Sequence, residues 1–256
     1  MDAAEVVKSL RPHLDGALIA TDFDGTLAPL VLDPQQSRAV DGAVDALVAL
    51  ARHGAQVAVI TGRDARTAVR LGGLDAVPGI IVAGLYGIET WHDGELTSPE
   101  TPEAILRLRE RLPAVIESAH PDVWIEDKRL SLVVHFRRTP DPAAAMAEVA
   151  APVHALGHEL GLEVHPGSDV LELRLPGYDK AGALARLADG RTAVLYLGDD
   201  LGDLPAFAQI GRLRVAGGVA YCIGVRSSNV AELAGAADAY VDEPAAVAAL
   251  LAELAA

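Results

Sequence analysis

Three apolar runs of strand length, at residues 17–21, 56–60 and 193–197, each lead into polar residues that are able to carry a reaction. The first run continues as DFDGT, the second as TGR and the third as GDDLGD. In a sheet of parallel strands, ligands bind beyond the carboxyl ends of the strands, and these ends share one edge. We therefore expect one carboxylate cluster, formed by Asp22, Asp24, Asp199, Asp200 and Asp203.

The chemistry expected of this cluster follows from its charge. Packed carboxylates repel one another unless a cation or a proton separates them, and Mg²⁺ prefers such hard oxygen ligands together with a substrate phosphate. Attack by Asp22 on phosphorus would form an aspartyl phosphate and split one difficult displacement into two. Asp24, two residues on, would protonate the leaving sugar oxygen and then deprotonate the attacking water. These residues predict an Mg²⁺-dependent phosphatase.

Three further residues suit a phosphate site. Gly25 permits an unusual backbone turn close to phosphate, Thr61 can donate to a phosphoryl oxygen, and Lys180 can neutralise its charge. Lysine is rare in this chain: Lys8, Lys128 and Lys180 are the lysines among 21 basic residues. Because arginine and lysine are not interchangeable, this bias favours a particular role for the few lysines.

Composition excludes several classes of function. The 256 residues are 51% hydrophobic and 22% charged, which suits a folded chain with a substantial core. The net charge of -15 without a basic run argues against nucleic acid and anionic membranes as partners. Cys222 is the only cysteine, so a reducing compartment is expected. The N-terminus lacks a signal-peptide pattern and no apolar stretch reaches the ~20 residues of a membrane helix, so we expect a cytoplasmic protein.

Strands that alternate with helices predict an α/β fold, a Rossmann-like core with a parallel sheet. Besides the three runs, strands are expected at residues 80–83 and 213–216, and helices at residues 40–53, 182–187, 204–210 and 244–256.

The middle of the chain has a different order of elements: a helix, a strand, a helix and two strands, at residues 102–118, 130–136, 143–160, 162–165 and 170–175. This order predicts a smaller α+β domain inserted into the core. We place the core at residues 1–98 and 175–256 and the inserted domain at residues 99–174.

The motifs DFDGT, Thr61, Lys180 and GDDLGD resemble the four motifs of the haloacid dehalogenase superfamily. The resemblance implies that Asp22 is both nucleophile and metal ligand. It implies that Asp24 is the general acid and base and gives a backbone carbonyl to Mg²⁺, that Asp199 is the remaining protein ligand, and that Asp200 and Asp203 complete the metal site. The inserted domain would then be a substrate-recognising cap.

Five further segments resemble the trehalose-phosphate phosphatase family in their order along the chain: AGLYGIE, IEDK, VVHFR, LELRLPGYDKA and YLGDDLGD. The resemblance implies that Glu126, Lys128 and Glu172 grip the hydroxyls of a disaccharide phosphate, whereas the residues alone favour a solvated turn at 126–128. It also implies functional pairing with a trehalose-phosphate-synthase-like enzyme. The candidate substrate-binding residues are Gly25, Thr26, Gly62, Arg63, Glu126, Lys128, Arg137 and Glu172.

The chain departs from the pattern of this family at Arg129, Ser168, Leu175, Ala181 and Gly202. The first four usually read glycine, lysine, proline and glycine, and the fifth threonine. Trehalose 6-phosphate is therefore the expected substrate, and a related sugar or pseudodisaccharide (aminocyclitol) phosphate is an alternative. A catalytically silent relative that binds sugar phosphates is the non-enzymatic alternative, and a phosphomutase is the least favoured.

Overall fold

The computed structural model describes residues 1–117, 119–167, 169–228 and 233–256. Ser118, at the end of one predicted helix, and Ser168, one of the departures from the family pattern, lie outside the described residues. The chain forms two compact units, Met1–Ser98 together with Tyr178–Ala256, and Pro99–Gly177. The second unit therefore ends at Gly177 rather than at residue 174.

The strands, in chain order, are β1 (Leu18–Thr21), β2 (Gln56–Ile60), β3 (Ile81–Gly84), β4 (Glu89–His92), β5 (Glu95–Thr97), β6 (Trp124–Asp127), β7 (Ser131–His135), β8 (Glu163–Gly167), β9 (Val170–Arg174), β10 (Ala193–Gly198), β11 (Val219–Val225) and β12 (Ala239–Val241). The helices are α1 (Ala3–Leu10), α2 (Ala43–Arg52), α3 (Ala65–Gly72), α4 (Glu103–Val115), α5 (Pro142–Glu159), α6 (Lys180–Ala188), α7 (Leu204–Val215) and α8 (Pro244–Ala255).

The first unit is built on a sheet with the order β12-β11-β10-β1-β2-β3-β4-β5 within the described residues. Neighbours from β12 to β3 run parallel, and the hairpin β4–β5 extends the sheet antiparallel at one edge. The two central strands, β1 and β10, are buried along their whole length. The parallel strands bring their carboxyl ends to a common edge.

The apolar runs of the central strands reflect a sheet that is covered on both faces. Along β1, Ile19 belongs to one hydrophobic cluster, whereas Leu18 and Ala20 belong to another. Successive strand side chains point to opposite faces, so a strand covered on both sides reads as a continuous apolar run. The predicted α/β class with a parallel sheet is confirmed.

The strand predicted at residues 213–216 is wrong. Those residues lie at the end of α7, and the strand of this region is β11, Val219–Val225. Phe207 and Ile210 are buried along α7, and Leu213 continues their three-residue spacing, which is that of one helix face. Gly217 has a positive φ of 90° after the helix and ends it.

The second unit has an antiparallel sheet with the order β6-β7-β9-β8. Leu132, Val134, Leu171 and Leu173 point to one face and join a hydrophobic cluster with residues of α4 and α5. The alternation of strand side chains places Ser131, Glu172 and the other polar residues on the opposite face. The sheet of the second unit therefore has one apolar face and one polar face.

Strand β6 was not predicted. The residues alone favour a turn at 126–128, but Glu126 and Asp127 lie in β6, paired with Val133 and Leu132 of β7. A strand with one polar face has too few apolar residues to be found by an apolar run. In the part of the chain that the structure describes, no helix is long and apolar enough to cross a bilayer.

Candidate active site

Residues that follow β1, β2 and β10 form the candidate site of the first unit. Strand β1 lies between β10 and β2, and all three run parallel. Asp22 therefore follows the central strand, with Asp199 and Thr61 after its two neighbours. Lys180 begins α6, whose preceding residue Asp179 caps the helix by accepting from the Gly182 N–H.

Lys180 is the cation at the centre of the carboxylates. Its Nζ lies 2.8 Å from Asp22 Oδ2, 2.7 Å from Asp203 Oδ1 and 3.8 Å from Asp200 Oδ1. The side chains of Lys180, Asp22 and Asp203 are 3%, 7% and 0% exposed. Asp22 Oδ1 accepts from the Phe23 N–H at 2.6 Å, so both oxygens of the candidate nucleophile are held.

Asp203 is fixed by donors on every side. The Tyr196 hydroxyl donates to its Oδ1 at 2.6 Å, and the backbone N–H groups of Asp199 and Asp200 donate to its Oδ2 at 2.9 and 3.1 Å. Burial opposes its charge, but Lys180 and the other donors outweigh it and hold the pKa of Asp203 below its usual range. Asp203 therefore acts as a charged anchor for Lys180.

The other carboxylates of the site, those of Asp22, Asp199 and Asp200, have too little positive charge nearby to balance them. Burial raises the pKa of Asp22 well above its usual range; Lys180 opposes this shift, whereas Asp203 and the other carboxylates add to it. Burial and neighbouring carboxylates raise the pKa of Asp199 to about 7 and also raise that of Asp200. One lysine does not balance this group of acids, so an additional cation would stabilise their ionised forms.

The donor set fits a divalent cation. Asp22, Asp200 and Asp203 each offer one oxygen, and these oxygens lie within 4.8 Å of one another. Carboxylate oxygens are the ligands that Mg²⁺ prefers. Asp199, the ligand implied by resemblance, is adjacent: it accepts from Thr26 Oγ1 at 3.3 Å and from Ser227 Oγ at 3.2 Å.

The close contact between the DFDGT segment and Asp199 requires a glycine at position 25. Its φ is +75°, and a Cβ atom there would lie 2.1 Å from Asp199 Oδ2. Its carbonyl accepts from Ser227 Oγ at 2.6 Å. The glycine therefore allows the DFDGT turn and the Asp199 carboxylate to approach each other directly.

Asp24 and Arg63 form a second charged group. Arg63 donates to both oxygens of the Asp24 carboxylate, at 2.6 and 2.7 Å, and Ser37 Oγ donates to Oδ1 at 3.1 Å. In this structure Arg63 is thus engaged by a carboxylate of the protein, although the sequence predicts it to bind substrate.

The Thr61–Gly62–Arg63 loop is held by the AGLYGIE segment. The Tyr86 N–H donates to the Thr61 carbonyl at 2.9 Å, and the Leu85 N–H to the Arg63 carbonyl at 2.8 Å. A Cβ on Gly62 would lie 2.7 Å from the Tyr86 hydroxyl. Leu85 and Tyr86 both have positive φ values, 49° and 60°, which are uncommon for residues with a side chain.

Several of the residues that hold the site were not predicted as site residues. They are Ser37, Tyr86, Glu89, Tyr196 and Ser227. The buried Glu89 accepts from the Ala65 N–H at 2.7 Å and so fixes the start of α3, directly after the Arg63 loop. The AGLYGIE resemblance was a signal for Tyr86 and Glu89, whereas Ser37 belongs to no recognised motif.

The predicted cap residues lie on the polar sheet face of the second unit. Glu126 on β6 and Glu172 on β9 are both paired in register with Val133 of β7. Glu126 Oε2 lies 2.9 Å from His135 Nε2. Lys128 Nζ is 3.5 Å from Glu172 Oε1, which also accepts from Ser131 Oγ at 2.8 Å.

One ring contact and one outlying residue complete the description of this unit. Trp124 stacks on His135 with ring centroids 3.9 Å apart, which orients the imidazole toward Glu126. Arg137 lies beyond the end of β7, with its Nε 4.0 Å from Asp169 Oδ2. The structure therefore places Glu126 on β6 and Glu172 on β9, on either side of β7, with Lys128 directly after β6 and Arg137 past the end of β7.

The fold is that of solved haloacid dehalogenase-like hydrolases. A haloacid dehalogenase-like hydrolase from Bacteroides thetaiotaomicron matches 92% of this chain and 98% of its own, with a TM-score of 0.64 and 15% identity. The C-terminal domain of C. albicans trehalose-6-phosphate phosphatase matches 100% of this chain and 97% of its own, with a TM-score of 0.81 and 21% identity. At these identities the likeness establishes the fold.

The family model described as Trehalose-phosphatase matches residues 20–245, so the chain belongs to the trehalose-phosphatase family. It is 37% identical over 245 residues to a trehalose-phosphate phosphatase of Mycobacterium marinum, covering 89% of this chain and 58% of that one. The corresponding protein of Mycobacterium leprae is 36% identical over 217 residues, with coverages of 77% and 48%. The chain thus spans about half the length of the curated relatives that it matches.

Proposed function

We propose that the chain is an Mg²⁺-dependent phosphatase that hydrolyses trehalose 6-phosphate through an aspartyl phosphate on Asp22. Family membership and the names of the relatives support the substrate class. The observation that carries the chemistry is the buried Asp22 at the end of the central strand, 2.8 Å from Lys180 Nζ and beside Asp200 and Asp203.

In the first step an oxygen of Asp22 forms a bond to phosphorus while the bond from phosphorus to the sugar oxygen breaks. Asp24 gives a proton to that leaving oxygen. In the second step Asp24 takes a proton from water, whose oxygen bonds to phosphorus as the bond to Asp22 breaks. Lys180 keeps Asp22 in place, and its charge offsets that of the phosphoryl group.

A bound Mg²⁺ would be held by Asp22, the Asp24 backbone carbonyl and Asp199, with Asp200 and Asp203 alongside, and would supply positive charge to the phosphoryl oxygens. The raised pKa values of Asp22, Asp199 and Asp200 support this assignment.

We assign substrate recognition to the second unit, as a cap. Glu126, Lys128 and Glu172 present oxygens and an ammonium group on one sheet face, which suits the hydroxyls of a disaccharide. Arg137 is assigned to the same role on the resemblance alone. Pairing with a trehalose-phosphate-synthase-like enzyme and a cytoplasmic location remain predictions.

One observation favours the second candidate, a related pseudodisaccharide phosphate. Arg129 has a φ of +70° at a position where the family usually has glycine, next to Lys128 of the proposed grip. Its N–H donates to Asp127 Oδ1 at 2.7 Å and its carbonyl accepts from Arg109 at 2.7 Å, so local bonds stabilise the turn. The departure places an arginine, whose Nη1 donates to the Pro99 carbonyl at 3.3 Å, directly after Lys128 in the chain.

A solved structure that is named as a regulatory protein shares the fold. The C-terminal domain of Candida albicans trehalose synthase regulatory protein matches 100% of this chain with a TM-score of 0.72 and 13% identity. The intact set of Asp22, Asp24, Lys180 and Asp199 in this chain supports the enzyme instead.

The test is phosphate release from a panel that contains trehalose 6-phosphate, glucose 6-phosphate and an aminocyclitol disaccharide phosphate, each with Mg²⁺ or with EDTA. We expect the highest kcat/KM for trehalose 6-phosphate and loss of turnover in EDTA. Preference for the aminocyclitol compound would support the second candidate. Absence of release from every compound, with sugar phosphate still bound, would support the silent relative.

A further inference from the structure

The position of the Asp24 carboxyl group is set by two side chains separate from Lys180. Arg63 Nε donates to Oδ2 at 2.6 Å and Arg63 Nη2 donates to Oδ1 at 2.7 Å. Ser37 Oγ donates to Oδ1 at 3.1 Å. Two parallel N–H···O bonds from a planar guanidinium fix the plane of a carboxylate as well as its position.

Arg63 is itself held before any ligand binds. Its N–H donates to Thr61 Oγ1 at 3.1 Å, and its carbonyl accepts from the Leu85 N–H at 2.8 Å. Its guanidinium lies 5.7 Å from the centre of the Phe23 ring, and the side chain is 14% exposed. The Arg63 side chain is therefore pre-organised against the DFDGT segment.

Lys180 and Arg63 pair with different acids. Lys180 contacts Asp22 and Asp203, whereas Arg63 is the cation that pairs with Asp24 in the described part of the chain. A direct contact from these two Arg63 nitrogens to a phosphate would require this half-buried ion pair to break. The geometry thus commits these two donors of Arg63 to Asp24 rather than to a phosphate.

The contacts also distinguish the two oxygens of Asp24. A carboxylate offers about four lone-pair positions, two on each oxygen. Within the described residues, Oδ1 accepts from Arg63 and Ser37, whereas Oδ2 accepts from Arg63 alone. Oδ2 is therefore the oxygen with a lone pair available for a proton.

We propose that Arg63 is a positioning residue, which together with Ser37 orients Asp24 so that Oδ2 exchanges the proton of the reaction. The inference rests on the proposed function, because it needs the acid and base role of Asp24. The proton on Oδ2 passes to the sugar oxygen as its bond to phosphorus breaks and the Asp22 bond forms. Oδ2 then accepts a proton from the water that displaces Asp22 from phosphorus.

The test compares Arg63→Met, Arg63→Lys and Ser37→Ala with Asp24→Asn and the wild type, all with Mg²⁺. Arg111→Met is the matched control, because Arg111 makes a two-point pair with Glu159 on the second unit. Three quantities are measured: kcat and KM for the best sugar phosphate, the first-turnover release of p-nitrophenolate from p-nitrophenyl phosphate, and the affinity for inorganic phosphate by calorimetry. Circular dichroism and Tm verify folding.

For Arg63→Met we expect kcat on the sugar phosphate to fall ~10- to 100-fold, toward the level of Asp24→Asn, because general acid–base catalysis typically contributes ~100-fold or more. First-turnover release of p-nitrophenolate, a good leaving group that needs no acid, should change less than ~3-fold. Phosphate affinity should be kept. Arg63→Lys should recover part of the loss, Ser37→Ala should lose less, and Arg111→Met should match the wild type.

Weaker phosphate affinity with equal losses on both substrates would overturn the proposal and make Arg63 a phosphate contact. Equal losses with unchanged phosphate affinity would also overturn it, since that pattern marks general distortion. If the wild type releases phosphate from no sugar phosphate, the proposed function fails first and this inference fails with it. An active wild type with an unimpaired Arg63→Met variant rejects the inference alone.

Discussion

Lys180 in the first unit and Lys128 in the second both pair with carboxylates, in very different surroundings. The Lys180 side chain is 3% exposed, and its Nζ lies 2.8 and 2.7 Å from Asp22 and Asp203. The Lys128 side chain is 23% exposed, and its Nζ lies 3.5 Å from Glu172. The same residue types thus form a buried charge network in one unit and a looser, partly solvated pair in the other.

The difference bears on what each group can do. Buried charges lose their hydration and depend on one another, so removal of one leaves the others uncompensated. A partly solvated pair has a smaller mutual attraction and can exchange a partner for a polar ligand. The first arrangement suits chemistry that needs one fixed geometry, and the second suits recognition of hydroxyl groups.

The largest effect is expected from Asp22→Asn, which tests whether the buried charge network of the first unit carries the chemistry. It removes the nucleophile and one negative charge of the metal site, so we expect phosphate release to fall by ~10⁴-fold or more with the fold retained. Stability without Mg²⁺ should stay equal or rise slightly, because carboxylate repulsion is reduced. Asp45→Asn, an exposed substitution of the same type on α2, is the control. Activity above ~1% of wild type would exclude Asp22 as the nucleophile.

The next largest effect is expected from the two lysines compared directly. In urea unfolding with EDTA, Lys180→Met should cost ~3–5 kcal/mol, because it leaves buried carboxylates unpaired. Lys128→Met should cost less, ~1–3 kcal/mol, because it takes one partner from the Glu172 carboxylate, which is 8% exposed but keeps the Ser131 hydroxyl as a donor. Equal costs for the two substitutions would show that the units do not differ in the proposed way.

The part of the candidate site that could be predicted from the sequence consists of residues that directly follow a buried strand. Asp22, Thr61 and Asp199 were predicted on this basis, because strands covered on both faces have continuous apolar runs and parallel strands end at one edge. Lys180 follows no such run. It was predicted from its place before the third strand at the start of a helical segment, from the rarity of lysine and from its match to a family motif.

The residues that sequence analysis missed reach the site through contacts between distant parts of the chain, which local sequence patterns do not reveal. Ser227 follows β11, and that strand was misplaced because Leu213 and Val215 extend an apolar pattern that belongs to α7. Tyr196 was counted with the apolar run of β10, yet its hydroxyl donates to Asp203. Ser37 reaches Asp24 only because the chain between them turns back, and local spacing does not encode that contact.

The comparison also predicts a smaller, substrate-dependent effect in the second unit. Glu126→Ala or Lys128→Ala should lower kcat/KM for the true disaccharide phosphate by ~10- to 1000-fold, with each tenfold corresponding to ~1.4 kcal/mol. Hydrolysis of p-nitrophenyl phosphate should change little, because remote sugar contacts supply binding energy that this compound lacks. Glu159→Ala, on α5, is the control. Unchanged hydrolysis of the best sugar phosphate by both variants would remove these residues from recognition and leave the chemistry of the first unit unaffected.

The smallest effect is expected at Arg109 and Asp127, a two-point pair of the second unit with N···O distances of 2.6 and 3.0 Å. The hydrogen bonds from Arg109 hold the pKa of Asp127 below its usual range. A folded pKa below the unfolded value stabilises the fold above the unfolded pKa, near 3.9, and this contribution is lost as the pH falls toward the folded pKa. The Asp127 side chain is 46% exposed, so solvent screens the pair and Arg109→Met should cost ~0.2–1 kcal/mol at pH 7.

Urea unfolding at pH 7 and near pH 3 measures the difference, and the cost should shrink at the lower pH and in high salt. Asp127→Asn provides the matched variant: in its background Arg109→Met should cost less and lose its pH dependence, because only the bond from Arg109 to the Arg129 carbonyl and the packing of the chain are then removed. A cost that stays constant with pH would mean that Arg109 stabilises this unit through packing and its bond to the Arg129 carbonyl, and that this two-point ion pair contributes little through charge.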